Sequence, residues 1–140
     1  MQVTLQDISN RFAADRFGSH CIVYRNYAQE MLTIPVEERH AHLEDFYELL
    51  EGIVDGLYDN FCGGTLSLAE RTQLFEIIRA DWLDSAPGCV RASMVGILNA
   101  LRPLEGVASW LSEVATRQSD PKYADYLRQC AEFNRDAPAV

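Results

Sequence analysis

The chain has 140 residues, of which 48% are hydrophobic and 24% charged, with a formal net charge of −9. Such a composition belongs to a globular chain large enough to bury a core in one domain, and its apolar runs of three or four residues fall far short of the roughly 18 that a membrane helix needs. The acidity repels nucleic-acid phosphate and anionic lipid, so direct contact with DNA, RNA or a membrane is not expected.

Apolar residues recur at helical spacing throughout, and no alternating run bounded by hairpin turns interrupts them. The first helix is expected after Thr4, which forms a capping-box pattern with Asp7 and is followed by Leu5, Ile8 and Phe12 on one face. Gly18 is expected to end it. A second helix over about residues 20–33 turns Cys21, Tyr24, Ala28, Met31 and Leu32 inward, and Pro35 stops it.

A long third helix is expected from Val36 to Phe61, with Leu43, Phe46, Leu50, Ile53, Val54, Leu57 and Phe61 as a continuous apolar stripe. Gly63 and Gly64 close it. The fourth begins after Ser67, whose hydroxyl pairs with Glu70 in a second capping box, and carries Leu74, Phe75, Ile78 and Trp82 inward. Residues 84–88 read as a turn. The fifth helix, Cys89 to Leu101, is apolar nearly all round and is expected to be central. The sixth is expected to start at Pro103 and to bury Leu104, Val107, Ala108, Leu111, Val114 and Ala115. Asp120 and Pro121 open the last helix, with Tyr123, Leu127, Cys130 and Phe133 inward, and residues 136–140 form a loose tail.

The expectation is therefore all-α: one domain over residues 1–140, a compact orthogonal or irregular bundle of six to seven helices. Helices four to seven resemble HEAT-type repeat stacks, although no second copy recurs at a fixed period. Cys21, Cys62, Cys89 and Cys130 lack zinc-site spacing and are expected as reduced core residues, Cys89 included. The N-terminus has no basic segment leading into an apolar one, so a cytoplasmic location is expected, in its own cell or in one it enters.

Charge is the pattern with functional content. Residues 1–70 hold four arginines against twelve acids, net −8, while residues 71–140 hold eight bases against nine acids, net −1. On a helical wheel Glu37, Glu44, Glu48, Glu51, Asp55 and Asp59 share a sector of about 80 degrees beside the apolar stripe of the third helix. Like charges four residues apart each cost a few tenths of a kcal/mol, and no lysine or arginine lies between His40 and Glu70 to offset them.

An acidic ridge of this kind suits a basic protein partner, itself a candidate nucleic-acid binder. The expected function is a stoichiometric protein-binding module: an inhibitor, immunity protein, phage-type antagonist or adaptor. Glu44, Glu48, Glu51, Asp55 and Asp59 would supply charge, with Tyr47 and Tyr58 at the ridge margin as aromatic anchors. No cofactor is expected.

Two alternatives stand beside it. One is a divalent-metal carboxylate enzyme built on Glu37, His40 and Glu44, the Glu-x-x-His unit of di-metal bundles in a single copy. Glu48 and Glu51 are similar to the paired acids of all-α nucleotide pyrophosphohydrolases, but the matching positions on the next helix read Glu76 and Arg79. The other is a structural subunit of a helical assembly, including a homodimer in which the acidic first half meets the less acidic second.

Overall fold

A computed structural model describes the backbone of residues 3–16, 24–60 and 65–135, and the side chains of all of these but 58–60. Every regular element among them is a helix: α1 Leu5–Arg16, α2 Tyr24–Met31, α3 Val36–Ala41, α4 Leu43–Asn60, α5 Leu68–Asp81, α6 Gly88–Leu101, α7 Val107–Thr116 and α8 Pro121–Arg135. The all-α expectation holds, and an eighth helix arises because the segment expected as one helix from Val36 is two. None of them is long and apolar enough to cross a membrane. By spatial proximity of its residues the chain divides within α5 into two compact units, Met1–Glu70 and Arg71–Val140.

In the first unit, α2 packs chiefly on α4, and α1 packs on α2. Thr4 and Asp7 form the expected box: the Asp7 N–H donates to Thr4 Oγ1 at 3.1 Å and the Thr4 N–H to Asp7 Oδ2 at 3.3 Å. Leu5, Ile8 and Phe12 are buried, as are Tyr24, Ala28 and Met31 of α2. Phe12 meets Tyr24 and Tyr27 edge to face, with ring centroids 5.9 and 5.3 Å apart, geometries that aromatic quadrupoles favour. Cys21, Gly18, Phe61, Cys62 and the glycine pair at 63–64 lie outside the described residues.

Pro35 leaves α2 and serves as the N-cap of α3 at φ −61° and ψ 149°. That helix lasts six residues, because His42 adopts φ −132° and ψ 45°. The His42 carbonyl then accepts the Phe46 N–H at 2.9 Å and starts α4. Ser67 and Glu70 cap α5 reciprocally, the Ser67 N–H donating to Glu70 Oε1 at 2.8 Å and the Glu70 N–H to Ser67 Oγ at 3.1 Å.

In the second unit, α7 and α8 pack on each other most extensively. Val90, Met94, Val95, Ile97, Leu98 and Leu101 of α6 are buried, but Cys89 and Ala92 are exposed. The helix is thus open at its first turn, and the expectation that Cys89 is core is corrected. Helix α7 starts at Val107 rather than Pro103: Gly106 stands at φ 92°, a conformation no right-handed helix contains, so residues 102–106 form a turn. On α8 the inward stripe is Ala124, Leu127, Cys130, Ala131 and Asn134. Phe133, expected inside, is 43% exposed and lies beneath the Arg102 guanidinium, 3.5 Å from its centroid.

Candidate functional site

Helix α4 carries three kinds of surface. Phe46, Tyr47, Leu50, Ile53, Val54 and Leu57 are fully or nearly fully buried and make its core side. Gly52 and Gly56 lie on a second side, against the first two helices. A Cβ on Gly52 would meet only Phe12, at 3.8 Å, whereas one on Gly56 would fall inside the Tyr24 ring. The third side holds the acids. Of these Glu44, Glu48 and Asp55 are exposed and Glu51 is half-buried, while Asp45, also exposed, falls at the angle of the glycines.

Among the described residues none makes a hydrogen bond or ion pair with Glu44, Asp45 or Glu48. Glu51 and Asp55 are engaged in interactions. Glu44 and Asp45 occupy the first turn of α4, where the helix dipole favours negative charge. Glu48 lies beyond that turn and has no such compensation.

Between the glycine side and the acids opens a cleft of about 450 Å³, lined by Leu5, Gln6, Ser9 and Arg16 of α1, by Glu38 and His42, and by Asp45, Glu48, Leu49 and Gly52 of α4. Glu38 is already used, since its Oε1 accepts the Leu5 N–H at 2.9 Å and ties α3 to the start of α1. Asp45 and Glu48 therefore remain as the carboxylates of the cleft without a described counter-ion, with Leu5 and Leu49 as apolar wall. This concavity was not foreseeable from the helical wheel, because Asp45 and Leu49 fall outside both the acidic and the apolar sectors.

The structure corrects two sequence expectations here. Tyr47 has no exposed surface; it packs inside with its ring 5.0 Å from Phe46, so it cannot serve as an exposed anchor. The apolar side of α4 is simply wider than the aliphatic residues alone define. The side chains of Tyr58 and Asp59 lie outside the described residues. The interruption at His42 also removes the single helix on which Glu37, His40 and Glu44 were aligned. All three are exposed, and among the described residues no group of three histidine, cysteine or acidic side chains is placed to hold a metal ion.

In the second unit the two tryptophans come together, which sequence spacing did not disclose. Trp82 meets Trp110 edge to face at 5.4 Å, and Phe75 completes the cluster at 5.9 Å from Trp110. Asp84 accepts from Arg117 Nε at 3.0 Å and from Trp82 Nε1 at 2.8 Å. The guanidinium foremost, then the indole, hold its carboxyl below the usual carboxylate range. Its oxygens are thus occupied, and the cluster seals a core boundary.

Compared with protein-family models, with curated proteins and with solved structures, the chain matches none.

Proposed function

We propose that the chain is a cytoplasmic, stoichiometric protein-binding module, of the inhibitor or adaptor kind, whose α4 acids dock a basic partner protein. The observation that supports this most is the placement of Glu44, Asp45 and Glu48: exposed on one side of one helix, with no described counter-ion, in a stretch without lysine or arginine from residue 41 to 70. A helix selected only for solubility gains from alternating signs. Unrelieved carboxylates steer a basic partner into encounter and fix its register, and their effect weakens with salt. Asp55 extends the same surface, and Glu51, half-buried, stands at its inner edge.

The test is capture from cells of the source at low salt, comparing the natural chain with a Glu44→Lys/Glu48→Lys/Asp55→Lys variant of unchanged helical circular dichroism. A protein of basic isoelectric point is expected to be retained by the natural chain, to elute as salt rises and to be absent from the variant. Equal capture by both chains would overturn the proposal.

A further inference from the structure

We infer that the cleft between α1 and α4 receives an arginine side chain of the basic partner; this deepens the proposed function and rests on it. The cleft is a concavity beside the acids, and its 450 Å³ lies within the range for ligand sites, about 300 to 1,000 Å³. One long side chain fits within a space of that size.

The lining sets the chemistry. Asp45 and Glu48 stand three residues apart on α4 and so project from the same edge of the helix. Two neighbouring carboxylates without described partners present several acceptor positions to one cation. A guanidinium, planar and with five donors in a fixed fork, bridges such a pair, whereas an ammonium is a point charge. Leu49 and Leu5 supply apolar wall for the methylene stem. Gly52 also lines the cleft, and an added Cβ would have Phe12 as its nearest neighbour, at an ordinary 3.8 Å. Gly52 is therefore not required by packing, unlike Gly56.

Arg16 is the cation in the lining, and its position is informative. Glu38 holds the first residue of α1, and Phe12 lies beside Gly52, so α1 borders the cleft from its start to its end. Arg16, the last residue of α1, makes no described ion pair with Asp45 or Glu48. It opposes an incoming cation by its charge without occupying the Asp45 and Glu48 pair.

The experiment is an amide-resolved NMR titration of the full chain at low salt with acetyl-Gly-Arg-Gly-amide and with its citrulline counterpart, which keeps the shape and loses the charge. The arginine peptide is expected to bind at least about tenfold tighter, about 1.4 kcal/mol, and to shift the amides of Ser9, His42, Asp45 and Gly52. Gly52→Leu adds a side chain to the lining without touching any charge and is expected to reduce binding about tenfold. Arg16→Gln is expected to strengthen it severalfold. Where Gly52→Leu perturbs the fold, Asp45→Asn takes its place with the same expected loss. Equal binding by the two peptides, shifts spread from Glu44 to Asp55 without a centre in the cleft, or full binding by Gly52→Leu and Asp45→Asn would overturn the inference. The proposed function then survives or fails separately, on whether the lysine triple variant still captures the basic partner.

Discussion

Gly56 and Gly52 lie one turn apart on the same side of α4, yet substitution by alanine should act in opposite directions. At Gly56 the new methyl would enter the Tyr24 ring, itself wedged against Phe12, and overpacking of this kind costs about 1 to 3 kcal/mol. At Gly52 the methyl finds ordinary contact, so the helical gain of about 1 kcal/mol for alanine over glycine is kept. Urea denaturation of the two variants side by side should show Gly56→Ala less stable and Gly52→Ala more stable than the natural chain. Tyr27 gives a second residue-scale test. Burial foremost, then its hydrogen bond to Asp15, push its phenol from 10.0 up to about 12. A hydroxyl that ionises later in the folded chain than in the unfolded one supports the fold fully below the unfolded pKa. That support is lost as pH climbs from about 10 to about 12. Denaturation midpoints should fall over that window, and Tyr27→Phe should flatten the fall.

At the scale of the element, the caps were legible because they are local: a hydroxyl and a carboxylate three residues apart can satisfy each other's backbone whatever the rest of the chain does. Both boxes formed at their expected places. Glu70 does more than its pattern announces, since it also accepts from Gln29 Nε2 at 2.8 Å and pairs with Arg25 at 3.4 Å. The Ser67 N–H foremost, then Gln29, hold its carboxyl below the ordinary range. Its contribution is present above the unfolded carboxylate pKa and disappears as pH falls through the lower folded value. Ser67→Ala should cost about 1 kcal/mol, and Glu70→Gln should weaken the acid dependence of unfolding seen by circular dichroism.

The features that sequence periodicity missed are tertiary. No glycine or proline marks the break at His42; it accompanies the reach of Glu38 to the start of α1, thirty-three residues away along the chain. Without that break on the wheel, Glu37 is wrongly joined to the α4 acids. Tyr47 was read as a margin residue because on the wheel it falls between the aliphatic stripe and the acids, while its ring completes the core. Phe133 erred the other way: Arg102 covers its face, so an apolar residue stays outside. The cleft is lined from α1, from Glu38 and His42, and from α4, and no one helix shows it alone.

Charge is the property of the whole molecule on which the functional claim depends, and it can be separated from stability. Glu48 has like charges three and four residues before it, Asp45 and Glu44, and another three residues after it, Glu51. Each such neighbour costs a few tenths of a kcal/mol. Glu48→Lys converts these repulsions to attractions, in the favourable order of acid before base with Glu44, so the folded chain should gain about 0.5 to 1 kcal/mol at low ionic strength. The gain should shrink in 1 M salt, where the screening length falls to about 3 Å. The same substitution removes a carboxylate from both the ridge and the cleft, so capture of the basic partner should weaken as the fold becomes more stable. Thermal unfolding and capture measured on that one variant should therefore move in opposite directions, the mark of a residue kept for binding at the expense of the fold. A Glu48→Lys chain that is less stable than the natural one would show that the acids are accommodated within the fold itself, and the case for a basic partner would lose its physical ground.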